Sequence, residues 1–168
     1  MTKLYLVRHG ETIGNAQHIM QGQTQGALNF VGRRQAIQLA LRLESEGIDA
    51  FVSSDLRRAV ETAEIIADRY GAKIETTPLL RERDWGGFTG KYIPTLQDAV
   101  WPDDIESVED LKRRAGNFLV FIRERYPGLK VLAVGHGIVN KAVQSVYFGK
   151  PMSDIPRMAN CEVRVLEL

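Results

Sequence analysis

Near its start the sequence reads LYLVRHG (residues 4–10), in which four apolar residues run directly into an arginine, a histidine and a glycine. An unbroken apolar run of this kind is typical of a strand buried on both faces of a parallel sheet. The pattern recurs later, where the apolar run 131–134 is followed by Gly-His-Gly at 135–137. Two buried strands that each end at a histidine predict one sheet edge where functional side chains collect.

The rest of the chain alternates between helical and strand patterns. Helical spacing of apolar residues predicts helices within 32–46, 56–70, 107–126 and 138–147, with a core stripe in the third that includes Val108, Leu111, Ala115 and Phe118. Short strands are predicted at 50–52 and 73–76, and Ser53-Ser54-Asp55 offers a cap for the helix that follows. Alternation around Val163 and Val165 predicts an antiparallel edge strand. We therefore predict a three-layer α/β/α fold with a mostly parallel, doubly wound sheet and a C-terminal edge strand, and residues 1–168 form one predicted domain.

Composition excludes several classes of function. The net charge is only +1 over 168 residues, which disfavours nucleic-acid and membrane-surface binding. The one cysteine cannot form an internal disulfide, and the apolar run at 4–7 is too short for a signal segment or a membrane span. We therefore expect a cytoplasmic protein, and a homodimer is one assembly that the sequence allows.

The polar residues at the strand ends match the needs of phosphate-ester cleavage. That reaction needs an in-line nucleophile, cations on the phosphoryl oxygens and a proton for the leaving alkoxide. A neutral imidazole is nucleophilic near neutral pH, so His9 is the candidate nucleophile. The planar forks of Arg8 and Arg58 match phosphate oxygens, and His136 is a further candidate donor. In doubly wound sheets ligands bind beyond the carboxyl ends of the strands, so we expect His9 and His136 to face one pocket.

Three carboxylates are rival proton donors, because protonation of an alkoxide leaving group is worth roughly 10²–10⁴-fold. They are Glu82, Asp84 and Glu11, and Glu82 could equally form a surface salt bridge with a neighbouring arginine. Asn15 could donate to a phosphate oxygen or make a local turn. The histidines at 9, 18 and 136 lack metal-ligand spacing and there is no Walker motif, so we expect neither a metal nor another cofactor.

These motifs, taken in order, resemble the histidine phosphatase superfamily, the phosphoglycerate-mutase-like proteins. The matching stretches are LVRHGET (6–12), Asn15, SSDLRRA (53–59), LRE (80–82) with Trp85-Gly86, and GHG (135–137). Two stretches depart from the family pattern: Thr89-Gly90 stands where Glu-Gly is frequent, and Ala27-Leu28-Asn29 where Pro-Leu-Thr is frequent.

The resemblance implies a three-layer fold, no metal and a phosphohistidine intermediate at His9. It also implies phosphate contacts from Arg8, Asn15, Arg58 and His136 with the Gly137 amide nearby, and Glu82 as the proton donor. Gln21 and Gly22 are further candidate substrate contacts. We expect the pocket rim to include His18, Gln21, Lys91, Tyr92 and Trp101.

The expected activity is hydrolysis of small phosphate monoesters. By resemblance, cofactor-dependent mutases of this family are longer and carry an insertion after the Glu82 region that screens the phosphoenzyme from water. Here only residues 91–106 separate Gly90 from the next predicted helix. A cofactor-dependent phosphoglycerate mutase, a narrow metabolite phosphatase such as α-ribazole phosphatase, and a non-catalytic phospho-ligand binding module remain alternatives.

Overall fold

A computed structural model of the chain describes residues 1–168 and contains one five-stranded sheet. The strands are β1 (Lys3–Arg8), β2 (Ala50–Ser54), β3 (Ile74–Thr77), β4 (Lys130–Gly135) and β5 (Val163–Glu167). Their order across the sheet is β3-β2-β4-β1-β5. The first four are parallel, and β5 pairs antiparallel with β1 at one edge. The predicted mixed sheet with an antiparallel edge strand is confirmed.

Helices cover both faces of this sheet. They are α1 (Ile13–Ala16), α2 (Phe30–Leu43), α3 (Arg57–Asp68), α4 (Val108–Arg125) and α5 (Gly137–Phe148). α2 packs with α3, and α4 packs with α5, so two separate hydrophobic cores flank the sheet. The three-layer α/β/α prediction is therefore confirmed. None of the helices combines the length and the apolar character needed to cross a membrane.

β1 shows why the apolar runs form central strands. Side chains alternate between the two faces of a strand. Leu4 and Leu6 pack into the core beneath α4 and α5, whereas Tyr5 and Val7 pack into the core beneath α2 and α3. All four side chains are buried, so a strand in this position needs apolar residues at every step.

The start of α3 differs from the sequence prediction. Ser53, Ser54 and Asp55 do not cap it; the helix begins after Leu56, which makes no side-chain cap. The N–H of Arg57 instead donates to Oε1 of Gln25, 2.9 Å away. Asp55 forms a two-pronged ion pair with Arg81, at 2.6 and 2.7 Å. The predicted cap was wrong because Gln25 and Arg81, both distant in sequence, bind the Arg57 N–H and the Asp55 carboxylate. The Asp55–Arg81 ion pair connects the end of β2 to the segment that precedes Glu82.

Candidate active site

The carboxyl ends of β1 and β4 bring the two motif histidines together. Arg8, the last residue of β1, lies opposite Gly135, the last residue of β4. His9 and His136 follow these residues, and their ring centroids are 5.1 Å apart in an edge-to-face arrangement. Parallel pairing in this register is what makes two residues 127 positions apart neighbours.

His9 is held as a neutral imidazole with one nitrogen available. Its Nδ1 lies 2.7 Å from the carbonyl oxygen of Gly10, and a carbonyl only accepts, so Nδ1 carries the proton. Burial, followed by the positive charges of Arg58 and Arg8, lowers the pKa of His9 to about 3. Nε2 therefore presents a lone pair and makes no hydrogen bond within the protein.

Two buried guanidinium groups flank His9. Arg58 donates from Nη1 to the carbonyl of Thr24 at 2.7 Å and from Nη2 to the carbonyl of Gly22 at 2.6 Å. Arg8 donates from Nη1 to the carbonyl of Met158 at 2.8 Å. The Nε–H groups of both arginines are buried and have no partner in the protein. Burial lowers the pKa of Arg58 to about 10, which leaves it cationic at neutral pH.

His136 packs against His9 but is fully buried and is not among the residues that line the open pocket, contrary to the expectation that both rings face it. The ring is fully buried, with Nε2 2.8 Å from the Oγ of Ser54 and Nδ1 without a partner. Burial, followed by the charge of Arg58, holds the pKa of His136 well below its usual range. The ring is therefore neutral and carries one proton, and the direction of the hydrogen bond with Ser54 decides which of its two nitrogens carries it.

Glu82 is the one carboxylate that lines the pocket. Its oxygens accept hydrogen bonds from the backbone N–H groups of Ile138 at 3.1 Å, Val139 at 3.0 Å and Arg83 at 2.9 Å. The first two belong to the first turn of α5, whose N–H groups have no partners within the helix. The N–H of Gly137, the first residue of that helix, makes no hydrogen bond within the protein, and Gly137 lines the pocket.

The rival carboxylates lie elsewhere. Glu11 accepts a hydrogen bond from the side chain of Asn29 at 2.8 Å, and Asp84 accepts one from the backbone of Gly86 at 2.9 Å. Neither lines the pocket. Of the three candidate acids, only Glu82 is within reach of a ligand beside His9.

Asn15, Gln21 and Gly22 all line the pocket, in different ways. The Oδ1 of Asn15 accepts from the backbone of Thr12 at 3.1 Å and from Asn160 at 3.4 Å, which leaves its amide N–H₂ free to donate. Gly22 presents its carbonyl to Arg58, so it positions a cation. Gln21 lines the pocket while its side chain packs against Gly14 and Gly26.

The pocket has a volume of about 220 Å³ and an apolar wall. The wall residues are Ile19, Met20, Trp85, Ile93 and Ile138, and the cations Lys141 and Arg157 also line it. Of the residues expected on the rim, only Gln21 lines the pocket. The others lie outside it, namely His18, Lys91, Tyr92 and Trp101. Trp101 instead packs edge-to-face on Trp85, with centroids 5.7 Å apart. Lys141 could have been found from sequence, because four-residue spacing places it on the same face of α5 as Gly137.

No group of three or more histidine, cysteine, aspartate or glutamate side chains is close enough to hold a metal ion. The positive charge of the pocket comes from arginine and lysine side chains.

Comparison with known proteins places the chain in a family. The model of the histidine phosphatase superfamily (branch 1) matches residues 4–168. The chain belongs to the histidine phosphatase superfamily. With that membership, it is an enzyme that acts on phosphate esters.

Similar members of the superfamily include both mutase-like proteins and phosphatases. A probable phosphoglycerate mutase, GpmB, of Yersinia enterocolitica is 37% identical in an alignment of 165 positions that covers 90% of this chain and 77% of that protein. The structure of YhfR from Bacillus stearothermophilus superposes with a TM-score of 0.89 at 34% identity, covering all of this chain and 92% of the other. A mycobacterial glucosyl-3-phosphoglycerate phosphatase, solved with vanadate, superposes with a TM-score of 0.89 at 27% identity over 98% of this chain and 92% of its own.

Proposed function

We propose that this chain is a phosphohydrolase that cleaves small phosphate monoesters through a phosphohistidine at His9, without a metal ion. One observation carries the proposal: a neutral His9 with a free Nε2 lies between two buried guanidiniums whose Nε–H groups have no partner. Unpartnered buried donors are costly, at about 1–3 kcal/mol each. An anion bound beside His9 would satisfy them.

The phosphoryl group would bind among these donors. Arg8 and Arg58 offer Nε–H groups, and the Nδ1 of His136 is a third donor if its proton lies there. The amide of Asn15 and the first N–H of α5 add neutral donors, and the positive end of the helix dipole favours an anion. This arrangement stabilises the equatorial oxygens, where charge spreads in phosphoryl transfer.

In the first chemical step, Nε2 of His9 attacks phosphorus in line with the ester oxygen. The N–P bond forms and the P–O bond to the leaving group breaks. The leaving alkoxide takes a proton from the carboxyl of Glu82, and the alcohol departs. Glu82 is suited to this by its place in the pocket wall, beside the helix that carries Gly137.

In the second step, water attacks the phosphorus of the phosphohistidine. The carboxylate of Glu82 takes the proton of this water, the N–P bond breaks, and inorganic phosphate leaves. His9 and the protonated Glu82 are both restored. The net reaction consumes one ester and one water and releases one alcohol and one phosphate.

A direct test compares hydrolysis of glycerol phosphate and p-nitrophenyl phosphate by the wild type, His9→Ala and His18→Ala. His18 does not line the pocket, so His18→Ala is the matched control. We expect His9→Ala to lose activity by at least about 10³-fold, as a covalent route is removed, and EDTA to have no effect. Activity that survives in His9→Ala, or that EDTA abolishes, would contradict the proposal.

A phosphoglycerate mutase activity is the second candidate, because the probable mutase of Yersinia enterocolitica is 37% identical. A mutase must protect its phosphohistidine from water while the bound acid reorients to accept the phosphoryl group on another oxygen. A 3₁₀ turn spans Gly86–Phe88, and only residues 91–107 lie between Gly90 and α4. A segment this short shields the phosphohistidine poorly from water and so favours hydrolysis. Incubation with 3-phosphoglycerate, with and without bisphosphoglycerate, distinguishes the two: a phosphatase releases phosphate, and a mutase accumulates 2-phosphoglycerate.

A further inference from the structure

A turn that precedes the last strand of the sheet contacts the loop that carries His9. The N–H of Glu162 donates to the carbonyl of Ala159 at 3.0 Å, which closes this turn. The N–H of Cys161, inside the turn, donates to the carbonyls of Arg8 and His9 at 2.8 and 3.3 Å. A segment close to the end of the chain therefore holds the residues at the end of β1.

The backbone of this turn is held in an unfavourable conformation. Cys161 has a φ of 57°, in the left-handed region that side chains other than glycine rarely adopt. A further hydrogen bond runs from the N–H of Ala159 to the Oε2 of Glu162 at 2.7 Å. Conformations of this kind persist where several contacts fix them, and they are concentrated at functional sites.

The side chain of Asn160, in the same turn, contacts two residues of the candidate active site. Its Nδ2 lies 3.0 Å from the carbonyl oxygen of His9 and 3.4 Å from the Oδ1 of Asn15. A carbonyl oxygen only accepts, so the amide of Asn160 must turn its N–H₂ group towards His9. That group carries two hydrogens, and the second one faces the side chain of Asn15.

This contact bears on which end of the Asn15 amide faces the pocket. The Oδ1 of Asn15 also accepts from the backbone N–H of Thr12 at 3.1 Å. The 3.4 Å contact with Asn160 is long for a hydrogen bond, but a reversed Asn15 amide would set its own N–H₂ group against two donors. The two donors together keep the N–H₂ group of Asn15 available to the pocket, which Asn15 lines.

We propose that Asn160 is a positioning residue, which holds the Asn15 amide in the orientation that donates to the phosphoryl group and at a fixed distance from the main chain of His9. This inference relies on the proposed function for the phosphate contact of Asn15. Asn160 does not line the pocket, so it acts through Asn15 and not on the substrate. In its absence the His9 carbonyl still accepts from Cys161, so the main effect falls on Asn15.

The test is a double-mutant cycle on the hydrolysis of p-nitrophenyl phosphate. It compares kcat/KM for the wild type, Asn15→Ala, Asn160→Ala and the variant with both substitutions. Asn117→Ala is the matched control, because Asn117 is an exposed asparagine of α4 that does not line the pocket.

We expect Asn15→Ala to lower kcat/KM by about 10-fold, since a hydrogen bond to a charged phosphoryl oxygen is lost. Asn160→Ala should lower it by about three- to tenfold, because the Thr12 N–H still holds the amide, and Asn117→Ala should match the wild type. The double variant should fall no more than about twofold below Asn15→Ala, since residues that act through one contact are not additive. Losses that multiply in the double variant, or no loss in Asn160→Ala, would overturn the role.

Melting temperatures separate positioning from a contribution to folding alone. Loss of one hydrogen bond is expected to lower the melting temperature of Asn160→Ala by about 2–4 °C, which leaves the protein folded at 25 °C. Asn160→Leu, which removes the donor and keeps a side chain of similar size, is the second variant. If neither variant folds, or if both lose activity only in proportion to their unfolded fraction, the role is structural and the inference fails.

A binding measurement distinguishes this inference from the hydrolase proposal. Inorganic phosphate is titrated into ¹⁵N-labelled wild type, Asn160→Ala and Asn117→Ala, and the side-chain amide signals of Asn15 are followed. Positioning predicts a phosphate-dependent shift in the wild type and the control, and an affinity weaker by at least about threefold in Asn160→Ala.

The outcomes of this titration differ for the two proposals. Equal shifts and affinities in all three proteins, or no shift of Asn15 in the wild type, would reject the role of Asn160 even if the wild type hydrolyses esters. A shift that depends on Asn160, in a protein that hydrolyses no ester, would reject the hydrolase proposal alone.

Discussion

The hydroxyl of Ser54 lies 2.8 Å from Nε2 of His136, and both groups are buried. The same oxygen accepts a hydrogen bond from the backbone N–H of Leu56 at 3.2 Å. Because one lone pair of the Ser54 oxygen already accepts from Leu56, the hydroxyl proton can be donated to the neutral imidazole of His136. Donation from Ser54 to Nε2 would place the ring proton on Nδ1, the nitrogen that has no partner in the protein.

Ser54 is therefore predicted to be a positioning residue for His136. In Ser54→Ala the imidazole can adopt the other tautomer, in which Nδ1 no longer donates to a phosphoryl oxygen. Loss of one such donor is expected to lower kcat by about 10²-fold or somewhat less, and Ser54→Thr should retain most of the activity because its hydroxyl remains. Nitrogen NMR of the labelled ring reports the tautomer directly; an unchanged tautomer in Ser54→Ala would refute this role.

Arg114 is predicted to control the position of Glu82. It donates to the carbonyls of Leu79, Arg81 and Glu82 at 3.0, 2.6 and 3.4 Å, and it pairs with Glu106 at 2.8 Å. Replacement by Met frees the loop that carries the candidate acid. We expect hydrolysis of an alkyl phosphate to fall about 10- to 100-fold, within the usual range for general acid catalysis. p-Nitrophenyl phosphate, whose leaving group needs no proton, should be much less affected.

The neighbouring Arg113 is the control for this experiment. It is exposed and pairs with Asp110 on the surface, so Arg113→Met should leave the alkyl-to-aryl rate ratio unchanged. Breaking a partly buried ion pair also destabilises a protein. Arg114→Lys, which keeps the charge but loses the planar fork, provides a milder variant. A parallel loss on both esters in the Arg114 variants would indicate a structural effect only.

Two helical glycines are predicted to respond in opposite ways to alanine. A Cβ at Gly32, in α2, would lie 2.0 Å from the carbonyl oxygen of Glu11, so the strand-to-helix loop next to His9 would have to move. We expect Gly32→Ala to lower the free energy of unfolding by about 1–3 kcal/mol and to reduce activity. A Cβ at Gly116, in α4, would lie 3.9 Å from the Cγ1 of Val146, an ordinary contact, and Gly116→Ala should stabilise by about 0.5–1 kcal/mol. Urea unfolding of both variants measures this; a destabilised Gly116→Ala or a neutral Gly32→Ala would contradict the packing.

Acid stability should depend on His9. Its pKa is about 3 in the folded protein and about 6.5 when unfolded, so the unfolded chain binds more protons between these values. The contribution of His9 is therefore fully present above pH 6.5 and is lost as the pH falls towards 3. In His9→Asn the free energy of unfolding should fall less between pH 7 and pH 4.5 than in the wild type. His18→Asn serves as the comparison, and identical pH dependence in the wild type and His9→Asn would contradict a buried neutral ring.

Much of the fold could be predicted from the sequence because central parallel strands demand apolar residues on both faces. The runs at 4–7 and 131–134 could be identified for that reason, and their terminal histidines indicated the functional edge. Val108 shows the limit of helical periodicity. The spacing predicts it in the core stripe of α4, yet it is the first residue of that helix and 45% of it is exposed. Leu111, at the next position of the stripe, is fully buried.

The pocket wall was harder to predict than the motif residues beside His9. Motif residues such as Arg8 and Arg58 lie at strand ends and helix starts, where the fold dictates their position. Ile93 begins a short 3₁₀ turn and Arg157 lies in a loop, and the path of such connecting segments depends on contacts distant in sequence. Trp101 is instructive, since it was expected on the rim but packs against Trp85 and Phe88 and stays outside the pocket, although 53% of it is exposed. Aromatic composition alone does not distinguish a wall residue from one that supports it.

The most direct test of the account is to trap the covalent intermediate. The protein is mixed with an excess of p-nitrophenyl phosphate, quenched in alkali within milliseconds and digested under conditions that preserve phosphohistidine, and the peptides are mapped by mass spectrometry. A phosphohistidine mechanism predicts one alkali-stable, acid-labile phosphoryl group on the peptide that contains His9, and none in His9→Ala. Phosphate on another residue, or rapid hydrolysis with no phosphorylated His9 at any time, would contradict it.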